Sequence, residues 1–212
     1  MDVMIWFSKN IAFVLEIIAV VFGLAYVVLA AKKNIWCWLM GIIGSIASIY
    51  LFVEYSKLYS EAILYVYYVA TGIIGWVNWK NAEDDLKIIR KPVTSHLVFI
   101  GFGILFSGLF YFLVSNVFTD AARPLIDSFT TVFSFMATWI TIKRWLSNWI
   151  YWIVIDAVTA FLYIDRGLDL YAGLMLLYTG LAAYAYWEWV KMEQAPRFLV
   201  DDKTIIDSKE II

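Results

Sequence analysis

Residues 93–117 read VTSHLVFIGFGILFSGLFYFLVSNV, a run with no Asp, Glu, Lys or Arg. A helix rises 1.5 Å per residue and a bilayer core is ~30 Å thick, so this run is long enough to cross a membrane. Apolar stretches of similar length recur on both sides of it. Seven spans result, at about 11–31, 35–53, 61–79, 93–117, 124–142, 147–164 and 169–190. The composition agrees: of 212 residues, 63% are hydrophobic, 19% aromatic and only 16% charged. A single soluble core of this size cannot bury that much apolar surface, since soluble domains run near half apolar and a quarter charged. The expected class is an all-α polytopic membrane protein.

Punctuation between the spans is short and charged, as at Lys32-Lys33 and Lys143-Arg144. Pro92, Pro124 and Pro196 all fall at boundaries, where a missing backbone donor costs least. With seven spans the loops alternate sides. Lys9, Lys57, Arg123 and Arg166 lie on one side, and the other twelve basic residues lie on the opposite side. Basic residues stay cytoplasmic, which predicts an outside N-terminus and a cytoplasmic C-terminus. The first charges, Asp2 and Lys9, are not those of a cleavable signal, and no small-residue cleavage site follows the first apolar stretch. One cysteine, Cys37, cannot form an intrachain disulfide, and a net charge of −2 gives no reason to expect nucleic acid.

The second and third spans resemble the sixth and seventh. Asn34-Ile-Trp-Cys-Trp38 matches Asn148-Trp-Ile-Tyr-Trp152, Leu58-Tyr59 matches Leu170-Tyr171, and Trp76/Trp79 match Trp187/Trp189, at offsets of 114, 112 and 111. Such a steady offset reads as an internal repeat. Three spans plus one linker separate the copies, so the halves run parallel, in a 3+1+3 layout with a site expected between them. The division is 1–80 for the first three-helix bundle, 81–122 for a cytoplasmic loop and linker helix, 123–191 for the second bundle and 192–212 for a polar cytoplasmic tail.

A carboxylate at the centre of a span costs about 2.5 to 3.5 kcal/mol on insertion scales, so Asp156 must face a cavity or a partner. Trp149, Trp152, Asp156, Thr159 and Tyr163 share one helical face. Two indoles and a carboxylate on one stripe suit a flat, positively charged ring, held by cation–π contact and countercharge. An interfacial anchor for Trp149 and a helix-to-helix bond for Asp156 are the plainer alternatives. The third span offers a facing set in Tyr65, Tyr68, Gly72 and Trp76, with Gly72 leaving room beside the rings; Trp79 reads as an interface anchor. Gly41, Gly44, Ser45 and Ser48 form a small-residue face whose preferred reading is close helix packing. Gly103 and Ser107 have the same spacing, which would serve a subunit contact. Glu16 and Asp127 are expected to find hydroxyl or indole donors or to act as gate elements. His96 is the sole histidine, so a metal cluster is not expected, and nucleotide-binding and hydrolase motifs are absent from the sequence.

The string Asn148-Trp149-Ile150-Tyr151-Trp152-Ile153-Val154-Ile155-Asp156 resembles the Trp-x-x-Trp-x-x-x-Asn/Asp signature of the PnuC-type vitamin transporters. Leu58-Tyr59 followed by Gly75-Trp76-Val77-Asn78-Trp79 resembles that family's ending of the third span. The resemblance covers about residues 11–191. It implies a SWEET-like fold, a homotrimer in the bacterial inner membrane, and facilitated diffusion of nicotinamide riboside, thiamine or a related vitamin. It also implies a cytoplasmic kinase that traps the substrate by phosphorylation. By motif, the resemblance implicates Trp149, Trp152 and Asp156, with Trp76 opposite. Tyr65 and Gly72 stand where nicotinamide-riboside members often carry Gln and Asn. That departure tilts the expectation toward thiamine, with nicotinamide riboside the alternative. No cofactor and no enzymatic activity are expected. The rival readings are a membrane enzyme using Asp156 and Glu16 as acids, and a scaffold or receptor that binds through its surface.

Overall fold

A computed structural model describes residues 2–56, 59–82, 86–117 and 124–194. Leu58 of the quoted motif, residues 83–85 of the loop, Arg123 and the tail after 194 lie outside the described residues. Seven α-helices follow in order: α1 Asp2–Ala31, α2 Trp36–Tyr50, α3 Tyr59–Lys80, α4 Val93–Val117, α5 Pro124–Ile142, α6 Asn148–Asp165 and α7 Asp169–Gln194. Helix α4 has the bounds expected from its uninterrupted apolar run, and α5 begins at Pro124, whose fixed φ suits a first helical position. A π-helical segment, Leu51–Ser56, extends α2; no pattern in the sequence announces it.

Among the described residues, five helices meet the length and hydropathy of a membrane span. Helices α6 and α7 do not, because Asp156, Asp165 and a high share of Trp and Tyr lower their mean hydropathy. Their outward side chains are nevertheless apolar: Ile150, Val154, Phe161 and Leu176 are all about half exposed.

Helix α1 packs on α2 and α7, α2 on α3, α3 on α5, α5 on α6, and α6 on α7. Six helices therefore close into a ring in the order α1, α2, α3, α5, α6, α7. Helix α4 packs on α5 outside that ring, with Leu97, Phe102, Ile104 and Phe112 more than half exposed. Small residues set the close approaches. A Cβ at Gly44 would meet Phe22 and the Ala19 carbonyl, and one at Gly41 would meet the Tyr26 ring, so the small-residue face of α2 packs against α1 as preferred from sequence. Gly103 corrects its expectation: it faces the Phe133 ring of α5 within the chain, not a subunit neighbour.

Helices α1 and α5 end alike. Lys33 (φ 53°) and Arg144 (φ 57°) sit in the left-handed region that usually favours glycine. Around each, two backbone bonds close the helix end: Lys33 N to Ala30 O and Asn34 N to Leu29 O, and Arg144 N to Thr141 O and Trp145 N to Ile140 O. A tryptophan from the other half then reaches each end. Trp79 at the end of α3 donates to Ile142 O at 3.1 Å, and Trp189 at the end of α7 donates to Ala30 O at 3.1 Å.

The loop before α4 runs across this same end. Lys33 Nζ donates to Leu86 O at 3.1 Å, and Ile89 pairs with the α5–α6 turn through Ile89 N to Arg144 O and Leu146 N to Ile89 O. Arg90 bridges Glu193 at 2.7 Å, and that hydrogen bond raises the guanidinium pKa above its usual value.

Candidate functional site

Polar side chains from five of the six ring helices converge inside the bundle. Tyr68 of α3 lies beside Ser134 of α5 and interacts electrostatically with Tyr65 and with Asp156 of α6. Tyr178 of α7 interacts with the same Asp156 and Tyr65, and Tyr26 of α1 interacts with Tyr68. The Tyr65 and Tyr68 rings meet edge to face at 5.7 Å. Helices α3, α6 and α7 approach this point from different parts of the ring, so their side chains meet in its interior. Ser134 is buried and the others are partly buried. Tyr178 is admitted by a glycine: a Cβ at Gly23 of α1 would stand 2.5 Å from its Oη.

One carboxylate among phenols and a hydroxyl can hold a compact cation and donate hydrogen bonds to its polar substituents. The phenol rings add faces on which a flat ring can rest. Among the described residues no group of His, Cys, Asp and Glu can hold a metal ion.

Of the residues expected from sequence, Asp156, Tyr65 and Tyr68 are brought together here. Trp152 lies on the same face of α6, and its Nε1 donates to Thr141 Oγ1 at 3.3 Å, which in turn bonds Asn148 Oδ1 at 3.1 Å. The other two indoles go elsewhere. Trp149 is 2% exposed and packs edge to face on Trp189 at 5.4 Å. Trp76 packs on the exposed Trp36 at 5.3 Å. Gly72 leaves room for α2 rather than for the tyrosines, since a Cβ there would stand 2.7 Å from Ile42 Cγ1. Ser48 bonds the Gly44 carbonyl of its own helix at 3.0 Å, and Ser45 is buried at the α2 contact.

Glu16 has the hydroxyl partner expected of it: Tyr171 donates to it at 3.1 Å on an exposed surface between α1 and α7. Asp127 has a cation, Arg166, at 2.7 Å in place of the expected hydroxyl or indole donor, and its reading as a gate element is untouched by that pairing. Trp79, read from sequence as an interface anchor, is instead 2% exposed in the core.

The sequence reading passed over Tyr26, Ser134 and Tyr178. A signal existed for one of them: Trp79 and Trp189, which make equivalent hydrogen bonds, differ by 110 positions, and so do Tyr68 and Tyr178. Nothing comparable marked Ser134, one of many hydroxyls in apolar helices.

At the basic end four tryptophans meet, one each from α2, α3, α6 and α7. Trp38 meets Trp79 at 5.3 Å, Trp79 meets Trp189 at 6.4 Å, and Trp149 meets Trp189 at 5.4 Å; none is more than 2% exposed.

Fold and interior together define a multi-pass helical membrane protein with a polar, aromatic-walled centre. A sequence profile described as nicotinamide mononucleotide transporter matches residues 13–191. The chain belongs to that family of membrane transporters. It is 26% identical over 192 residues to the nicotinamide riboside transporter PnuC of Neisseria mucosa, covering 82% of this chain and 71% of that one. It is 22% identical over 180 residues to the protein of the same name from Escherichia coli K12, covering 72% and 75%. The crystal structure of a vitamin B3 transporter PnuC superposes with a TM-score of 0.70 at 25% identity, over 90% of this chain and 86% of that one.

Proposed function

We propose that this chain takes up nicotinamide riboside across a bacterial inner membrane by facilitated diffusion. The observation that carries the reading is the convergence of Asp156 with Tyr65, Tyr68 and Tyr178 inside the ring. Nicotinamide riboside joins a flat pyridinium cation to a ribose. The carboxylate answers the charge, the rings answer the flat face, and the phenols with Ser134 answer the ribose hydroxyls. Trp152, one turn from Asp156, completes the wall. Thiamine, toward which Tyr65 and Gly72 tilted the sequence reading, is the weaker candidate. Relatives from both organisms carry the name nicotinamide riboside transporter, and Tyr178 and Ser134 supply polar contacts that the sequence comparison credited only to Gln and Asn.

The 3+1+3 parallel repeat is part of the proposal. It is supported by the matched ends of α1 and α5 and by the reciprocal bonds of Trp79 and Trp189. Rocking of one half against the other would expose the centre to each side in turn, with the four tryptophans as the gate at the basic end. The four-to-twelve division of basic residues supports a cytoplasmic position for that end. The homotrimer and the trapping kinase follow from the family resemblance.

Purified protein in liposomes, with labelled nicotinamide riboside outside, provides the test. Uptake should run to equilibrium without an imposed sodium or proton gradient, and excess unlabelled nicotinamide riboside should compete better than thiamine. Stronger competition by thiamine reverses the substrate assignment; accumulation driven by an imposed ion gradient ends the facilitated-diffusion reading.

A further inference from the structure

A groove opens on the side of the bundle where α4 packs on α5. It has a volume of about 740 Å³ and lies among α3, α4, α5 and the loop before α4. Its lining contains three cations, Lys91, Lys143 and Arg144, and no acidic side chain. We propose that this groove binds an anionic phospholipid, with its phosphodiester among these cations and its upper acyl chain along α5.

The cations come from segments some fifty residues apart, and the backbone pairing of Ile89 with the α5–α6 turn fixes them side by side. Arg144 is held further by its bond to Asn78 Oδ1 at 3.2 Å. Lys91 Nζ lies 5.3 Å from the centre of the Trp145 ring, and Lys143 Nζ lies 5.4 Å from that of Trp139. Both lysines and Trp139 are exposed.

Depth then separates a lipid from a soluble anion. Lys143 directly follows the last residue of α5, and Lys91 stands two residues before α4, so both are at headgroup level. Along α5, Trp139, Ile140, Met136 and Phe135 continue the lining from Lys143 toward the hydrocarbon. They are three to eight positions from Lys143, the spacing of one helical face. A free phosphate would use only the rim, whereas a phospholipid uses the rim and the wall. Basic pockets between spans at the cytoplasmic side are the expected seats of anionic headgroups. The proposal rests on the membrane fold and on no assumption about the transported substrate.

Native mass spectrometry of the whole chain in detergent, with phosphatidylglycerol and phosphatidylcholine of identical acyl chains, tests it. Phosphatidylglycerol should be retained at a concentration roughly tenfold or more below that needed for phosphatidylcholine, since each cation contributes about fivefold near an anionic headgroup. Lys91→Gln with Lys143→Gln should cut the preference to the roughly fivefold that Arg144 alone would give, and Lys91→Arg with Lys143→Arg should keep it. Trp139→Ala should weaken retention of both lipids, and glycerol 3-phosphate should not displace phosphatidylglycerol at equal concentration. Equal retention of the two lipids by the wild type, a preference undiminished in the glutamine pair, or equal displacement by glycerol phosphate overturns the proposal. So does cross-linking of Trp139→Cys chains to one another in membranes, which would make the groove a contact between copies.

Discussion

Helices α1–α3 and α5–α7 are alike at their ends and differ where they face the interior. Both triads end their first helix on a basic residue with positive φ, and both use an indole of the last helix to cap the other triad. Where α6 carries Asp156, α2 at the Asn34/Asn148 offset carries Ile42, which fills the space above Gly72. Where α5 presents Ser134 to Tyr68, α1 presents Gly23 to Tyr178. The shared features are those of helix ends and packing; the differing ones line the interior. On the proposed reading, rocking of two like halves would favour keeping the joints alike, while a substrate with one charged end would call for an asymmetric site.

The largest effect should come from making the halves more alike in their packing. Gly75 lies against Trp38, and a Cβ there would stand 2.5 Å from that ring; at the offset of Tyr68 and Tyr178 its counterpart is the buried Ala185. Gly75→Ala should destabilise the protein by about 1 to 3 kcal/mol through overpacking, read as a lower midpoint of thermal unfolding in detergent. No change would mean that Trp38 is free to move and that the joint is loose.

A smaller effect tests whether the two caps are equivalent. Trp79→Phe and Trp189→Phe each remove one buried hydrogen bond, and each should cost about 1 to 2 kcal/mol. Thermal unfolding of the two variants side by side should give similar losses. A clear loss in one and none in the other would break the pseudo-symmetric account of the basic end.

Asp127→Asn should matter least. Its ion pair with Arg166 is partly exposed, with side chains 38% and 28% accessible, so the loss should stay below about 1 kcal/mol and shrink in high salt. Uptake measured at two ionic strengths separates this bland role from a gate, which would slow transport far more than it changes stability.

The helices were legible because a membrane leaves few ways to read an apolar run, and prolines marked two of the ends. The proposed repeat rests on aromatic residues, which stand out at a fixed offset, and Trp79 and Trp189, 110 positions apart, make like hydrogen bonds. The site was legible only where the membrane makes a residue costly. Asp156 announced itself, whereas Tyr26 and Tyr178 resemble the many tyrosines that sit at interfaces. Trp149 and Trp76 show the converse: indoles beside a carboxylate look like a box, but here Trp149 packs on Trp189 and Trp76 on Trp36. The basic groove was hidden because Lys91 and Lys143 become neighbours only through the Ile89–Trp145 pairing.

On the proposed reading, the asymmetry of the interior is a countercharge for a cationic vitamin. Calorimetric titration of nicotinamide riboside into wild type and Asp156→Asn tests it directly. The substitution keeps shape and hydrogen bonding and removes the charge. Affinity should fall about 5- to 150-fold, or roughly 1 to 3 kcal/mol, while thermal stability should be unchanged or higher, since an uncharged amide costs less to bury. Unchanged affinity together with a lower unfolding temperature would make Asp156 a packing residue and would contradict the account.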